Sequence, residues 1–201
     1  AECPSSVDMA KLKADFQQAY YDANGVPMRN WLIGHVDRMT QLVAPVSGLY
    51  NWAIAHPFLG RKVKQFLGFA PQRALPVIAK QSLYAWFSKR GQQPATQEKK
   101  VYFFFDEFTN HHEVEIGKKA ILLLEALGYG VLAVKHPASG RALISKGFLR
   151  EAKELANEQV ALFAPLLQEG HYLVGVEPSA ILSFRDEYVD LVDEEHIGDA
   201  K

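Results

Sequence analysis

Two short stretches hold the side chains best suited to chemistry: "HPASGRALIS", residues 136–145, and "EPSAILSFRDEY", residues 177–188. In the first, Ser139, Gly140 and Arg141 offer free backbone N–H groups at a helix start, a hydroxyl and a guanidinium. Together these can hold an anion. A plain Ser cap beside a solvated Arg explains the same residues, and neither a GxGxxG nor a GxxxxGK[ST] pattern accompanies them. In the second, Glu177 can act as a base or cap backbone donors, while Pro178 and Ser179 are ordinary helix-entry residues. Arg185, Asp186, Glu187 and Tyr188 form a charged helical turn, fit for a ligand rim or for a solvated salt-bridge face.

A third group is His111 and His112, flanked by Glu113 and Glu115, with His136 able to approach them across the rim of the sheet. Adjacent imidazoles on a turn can bind Zn²⁺ or Ni²⁺, but they lack the i, i+4 spacing of a helical zinc site. The acidic residues have their own explanation in the dipole of a first helical turn. No serine sits in a GxSxG elbow, and the lone cysteine, Cys3, lies in the N-terminal tail, so no nucleophile is assigned.

The elements that would position these groups change character along the chain. Residues 1 to 96 read as helices broken by Pro and Gly. Ser6 or Asp8 can cap a helix through MAKLKADFQQAYYDAN, closed by Gly25 and Pro27. A longer stretch from Met28 carries Trp31, Leu32, Val36, Met39, Leu42 and Val43 on one stripe, with Pro45 and Gly48 expected to kink or split it. The aromatic groups at Tyr84, Trp86 and Phe87, and at Trp31 and Trp52, are expected to pack between helices. The polar run GQQPATQEKK, residues 91–100, reads as a linker.

Beyond it, VYFFFD (101–106) is a nearly continuous apolar run ending at Asp106, the pattern of a strand covered on both faces. A helix over 113–128 and strands at YGVLAVK and HYLVGV follow. A long helical segment over SGRALISKGFLREAKELANEQVALFAPLLQEG has Gly147 and Pro165 as weak points, and PSAILSFRDEYVDLV is a third helical element. This β-α-β-α-β-α order predicts an α/β fold: a small three-layer domain over 97–201 with a short parallel sheet, preceded by the helical region. Ligands bind such sheets beyond the carboxyl ends of the strands. Asp106, the Ser139-Gly140-Arg141 turn and the Glu177-Pro178-Ser179 turn all fall on that rim.

Composition narrows the function. The 201 residues are 48% hydrophobic, enough for a packed core. With 22 Lys and Arg against 23 Asp and Glu, the net charge of −1 lacks the basic excess of a nucleic-acid surface. No apolar run approaches the roughly 20 residues of a membrane span. The first residues lack the basic and apolar regions of a signal peptide, so a cytoplasmic location is expected. A single cysteine excludes an internal disulfide and any metal or cluster site built from several thiolates of this chain.

From "VYFFFDEFTNHHEVEIGKKAILLLEALGYGV" through "SGRALISKGFLREAKELANEQVALFAPLLQEG" to "VGVEPSAILSFRDEY", the chain resembles the cysteine-rich (CCG) domain of iron-sulfur oxidoreductases. It is most similar to the version fused behind a flavin domain and a ferredoxin-like domain in FAD-linked oxidases of the D-2-hydroxyacid dehydrogenase type. Related modules occur in the iron-sulfur component of glycolate oxidase, in anaerobic glycerol-3-phosphate dehydrogenase and in heterodisulfide reductase. "ECPSSVDMAKLKADF" looks like the end of a C-x2-C-x2-C-x3-C-P motif, with Cys3-Pro4 as its last pair. "GFAPQRALPVIAKQSLYAWF" is similar to the connector before the CCG region.

The resemblance implies a fragment of a larger parent carrying FAD and [4Fe-4S] clusters, with Cys3 as one cluster ligand, three cysteines upstream and a second CCG-type half after Lys201. The implied partners are the upstream flavin and ferredoxin-like domains and an electron acceptor. The parent would be cytoplasmic, or peripheral to the inner face of the membrane. Where the family reads CCG, this sequence has Ala138-Ser139-Gly140; where it often reads EPSC, this one has Glu177-Pro178-Ser179-Ala180. The fragment is therefore expected to hold neither flavin nor cluster and to serve docking and electron transfer without catalysis of its own. Two other readings remain from the residues alone: a stand-alone small-anion-binding or regulatory module, and a metal-dependent hydrolase built on His111, His112 and His136.

Overall fold

The computed structural model describes residues 8–90, 99–168 and 170–200. The first helix, α1 (Met9–Asn24), starts where the Asp8 carboxylate accepts from the backbone N–H groups of Ala10 and Lys11, two donors with no partner inside the helix. It stops at Gly25, whose φ of 80° is costly for residues with a Cβ. The expected long helix from Met28 is divided. It breaks at His35 into α2 (Met28–Gly34) and α3 (Val36–Val43), and Pro45 sits in a 3-10 turn over Ala44–Val46 before α4 (Ser47–Ala55). Gly48 lies inside α4 and splits nothing. α5 (Pro57–Phe66) begins with a proline in its first turn, and α6 (Leu83–Arg90) ends the helical region.

Strand β1 (Lys99–Phe103) takes its first two residues from the run expected to be linker; the rest of that run lies outside the described residues. After β1 comes a short helix that the sequence pattern does not predict, α7 (Glu107–His111), and then α8 (Val114–Ala126) and strand β2 (Tyr129–Leu132). The following helical segment breaks at Gly147, with φ of 74°, into α9 (Arg141–Ser145) and α10 (Leu149–Gln168). Pro165 does not break α10. Its cost of about 3 kcal/mol is set against the helix's burial on two sides, where Val160 and Phe163 pack into separate cores.

After β3 (Tyr172–Val174), the third helical element is three short pieces, α11 (Pro178–Ile181), α12 (Ser183–Asp186) and α13 (Tyr188–Leu191). The Ser183 hydroxyl bonds back to the Ser179 carbonyl at 2.8 Å, a contact that bends helices. The last helix is α14 (Ile197–Ala200).

The three strands are parallel in the order β2-β1-β3, with Val101 opposite Val131 on one side and Tyr172 on the other. Alternation along β1 assigns its faces. Val101, Phe103 and Phe105 pack with Leu83, Phe87 and Ile121 beneath α6 and α8, while Phe104 packs with Phe163 and Ala180 beneath α10 and α11. This is the expected α/β architecture with both faces covered. Helix α6 thus shares a core with the sheet.

The N-terminal helices are also fastened to the C-terminal ones. The Tyr21 and Phe148 rings stack at 5.5 Å, and Gln18 accepts from the backbone N–H of Leu149. Asp22 takes both guanidinium nitrogens of Arg150. A Cβ on Gly147 would collide with Gln17 of α1, so the glycine both permits the turn and lets α1 approach.

Candidate functional site

In the order β2-β1-β3 the chain passes from β1 to β2 on one side and then crosses back past β1 to β3 on the other, so the crevice of a doubly wound sheet lies beyond the carboxyl ends of β1 and β3. Asp106 and Glu107 stand there, both buried. Asp106 caps α7: its Oδ1 accepts from the N–H groups of Phe108 and Thr109 at 3.0 and 2.9 Å, while Oδ2 has no partner. Burial pushes the Asp106 carboxyl up, backbone donors pull it down, and the Glu177 charge at the end of β3 adds to the rise.

The Ser139 turn holds a carboxyl group, and that group belongs to the chain itself. The backbone N–H of Ser139 donates to Glu107 Oε2 at 3.0 Å, and its hydroxyl donates to Oε1 at 2.8 Å. The same hydroxyl accepts from the N–H of Arg141 at 3.1 Å, and the Ser139 carbonyl accepts from the Tyr188 hydroxyl at 2.5 Å. Every polar group of this fully buried serine is therefore committed. The Arg141 guanidinium, expected to face a ligand, donates to Glu187 instead. Gly140 takes φ of 68° to let the chain turn into α9.

Glu107 is pushed above the usual carboxylate range by burial, against the pull of its Ser139 bonds. Burial likewise pushes the Tyr188 hydroxyl up, with the charges of Glu107 and Glu187 adding to the effect. Sequence patterns do not single out Glu107, Tyr188 and the fully buried Gln159 as parts of one site. Gln159 donates from Nε2 to the carbonyls of Pro137 at 2.8 Å and Ala138 at 3.1 Å, pinning the turn from α10. Only the placement of Glu107 straight after Asp106, at a strand end, signals it.

The second motif is a cap. Glu177 accepts from the Ala180 N–H and from the Ser179 hydroxyl, and Pro178 takes the first position of α11. Arg185 does not join the rim: its exposed guanidinium pairs with neighbouring Asp186.

The three histidines serve separate structural tasks. His136 Nε2 accepts from the Phe105 N–H at 3.0 Å, which leaves Nδ1–H to donate to the Pro137 carbonyl at 2.7 Å, and its ring stacks on Phe104 at 4.4 Å. Burial holds its protonation down. His112 bonds the Val77 carbonyl through Nδ1, and His111 lies beside Asn110. Among the described residues no group of three or more His, Cys, Asp or Glu is placed to hold a metal ion. Cys3 lies outside the described residues.

A thiolate-ligated cluster does not fit this rim. Ala138, Ser139 and Ala180 stand where the resemblance places cysteines, the Ser139 hydroxyl is spent on Glu107, and Ala180 is fully buried against Phe104 and Phe163. The space beside the turn is a crevice of about 250 Å³ between the rim and the α2–α3 pair, lined by His35, Arg38, Glu107, Ala138 and Gly140 among others.

No protein-family model matches the chain, and no solved structure matches it. Curated proteins do. The chain is 25% identical over 204 residues to D-2-hydroxyglutarate dehydrogenase of Pantoea ananatis, covering 96% of this chain and 20% of that protein. To D-2-hydroxyglutarate dehydrogenase of Escherichia coli it is 24% identical over 198 residues, covering 93% of this chain and 19% of the relative. To the C subunit of anaerobic glycerol-3-phosphate dehydrogenase of Escherichia coli it is 26% identical over 183 residues, covering 90% of this chain and 46% of that relative. The chain thus spans about a fifth of the first relatives and under half of the last. Over nearly its whole length it is related to a segment of these larger oxidoreductases.

Proposed function

We propose that this chain is the iron-sulfur-associated portion of a flavin-dependent oxidoreductase of the 2-hydroxyacid dehydrogenase type, and that it serves docking and electron transfer without catalysing turnover itself. In the parent, two electrons leave a 2-hydroxy acid at FAD and pass singly through [4Fe-4S] clusters, with Cys3 as one ligand, to an acceptor. The flavin, the acceptor site and the other cluster ligands belong to other parts of that protein. The α/β domain acts as a rigid scaffold between them.

The observation that carries this reading is the closed state of Ser139. A turn on the ligand-binding rim of a doubly wound sheet has its N–H, its hydroxyl and its carbonyl all bonded to the chain's own Glu107, Arg141 and Tyr188. Ser139 has no donor left for a substrate, and among the described residues no group of three or more His, Cys, Asp or Glu is placed to hold a metal ion. The similarity to two kinds of dehydrogenase, in one of which the related segment lies on a separate polypeptide, supports a module shared among electron-transferring assemblies.

The test is turnover by the separate chain. Incubated with a panel of D-2-hydroxy acids and an artificial electron acceptor, the 201-residue chain reduces no acceptor, while the full-length parent does. Acceptor reduction by the chain alone would overturn the proposal.

A further inference from the structure

We propose that copies of this chain associate with one another, a basic aromatic ridge on α5 of one copy seating in an acidic groove between α13 and α14 of the next. The inference goes beyond the electron-transfer reading and uses neither the rim nor Cys3, so either can fail without the other.

The near-neutral net charge hides a strong asymmetry. Between Asp37 and Glu98 the sequence has eight basic residues and no acidic one, whereas the stretch from Asp186 to Asp199 holds seven acidic residues and no Lys or Arg. Within one copy the two stretches do not neutralise each other: among the described residues no ion pair joins them. Each therefore finds its countercharge on a second copy, and like-charged faces of two copies repel. This is why a second copy, and not an unrelated acidic protein, is the partner that the chain itself supplies.

Helix α5 presents its cations on an aromatic ridge. Gly60 packs on the Ile54 carbonyl so closely that a Cβ would strike it, which sets the rotation of the helix. Phe58, Lys62 and Phe66, spaced by four, then share an outer face, with Phe58 68% and Phe66 77% exposed. The Lys62 ammonium lies 5.9 Å from the Phe58 ring centre, and Arg61 beside it is exposed. Neither cation has a carboxylate partner among the described residues. The neighbouring helices add apolar surface: Trp52 of α4, expected to pack between helices, is 58% exposed, and Leu42 of α3, expected on the buried stripe, is 72% exposed.

The receiving side is held in place by α10. Asn157 accepts from the Asp193 N–H at 2.9 Å and donates to the Asp193 carboxylate at 2.6 Å, and Lys153 pairs with the same carboxylate. These contacts fix a groove of about 720 Å³ lined by Lys153, Val192, Asp193, Glu194 and Glu195. Lys153 is spent on Asp193, so Glu194 and Glu195, both exposed, leave the groove negative. Arg61 and Lys62 of the neighbouring copy are set against these two carboxylates, and Phe58 and Phe66 lose their contact with water. Aromatic residues and Arg are the types enriched where proteins meet, which fits the ridge. Because the contact joins two different patches, it closes into a ring or grows as an open chain.

The experiment is sedimentation equilibrium of the 201-residue chain over a concentration series at low and high salt. The average mass is expected to rise with concentration, and to rise less at high salt. R61E/K62E and E194K/E195K should each weaken association by at least about tenfold, since like charges then face each other across the contact. Mixed in equal amounts, the two reversed variants should associate again, because each ridge now meets a groove of opposite sign. F58S/F66S should weaken association at both salt concentrations while the circular dichroism spectrum stays unchanged. A monomer at every concentration, undiminished association in either reversed variant, or reversed variants that stay apart when mixed would overturn the proposal.

Discussion

Ser139 grips Glu107 twice, through its backbone N–H at 3.0 Å and its hydroxyl at 2.8 Å, joining the turn after β2 to the end of β1 beneath the rim. The serine hydroxyl also receives the Arg141 N–H that opens α9. Removing it orphans two buried groups at once. Ser139→Ala should destabilise the protein by about 1–3 kcal/mol, read as a lower denaturant midpoint with an unchanged slope.

Tyr188 locks the same turn from the other side, with its hydroxyl 2.5 Å from the Ser139 carbonyl and its ring packed beside Phe184. Tyr188→Phe keeps the ring and loses the donor. We expect a loss of about 1–2 kcal/mol, and less than additive loss in combination with Ser139→Ala, because both act on one network.

Glu107 makes stability depend on pH. Its folded-state pKa is raised above the ordinary 4.5, with burial the main cause. The folded state then binds more protons than the unfolded chain at pH values above 4.5, so stability falls as pH rises through that window and the full contribution is present only below it. Asp106, raised for the same reason, acts with the same sign. Glu107→Gln should flatten this decline in a series of denaturation midpoints, and an unchanged slope would assign the effect elsewhere.

Gly147 tests the joint between the helical region and the α/β part. Its φ of 74° strains any residue with a Cβ, and that atom would also meet Gln17 of α1. Gly147→Ala should cost about 1–3 kcal/mol and raise amide exchange in α1 more than in β1.

The fold is legible in the sequence because its signals are local and redundant. The apolar run at 101–106 alternates into two cores, and Gly128 and Gly147 stop helices where the pattern ends. Other features are decided by tertiary contact. Pro165 stays inside α10, and Leu42 leaves the stripe that periodicity assigns to the core. The rim residues can be found from their spacing, but their roles cannot. Ser139 and Arg141 look ligand-ready in sequence because the partners that occupy them, Glu107, Glu187 and Tyr188, sit up to 49 positions away. The histidines fail to converge for a related reason: His136 is drawn to the Phe105 N–H at the end of β1, a donor that no spacing rule reveals.

The most direct measurement is electron paramagnetic resonance of the full-length parent reduced by its 2-hydroxy acid, comparing Cys3→Ala with Ser139→Ala. We expect Cys3→Ala to remove one [4Fe-4S] signal and stop transfer to the acceptor while flavin reduction by substrate continues, and Ser139→Ala to leave every cluster signal intact. Loss of a cluster signal in Ser139→Ala, or a full set of signals in Cys3→Ala, would contradict this expectation.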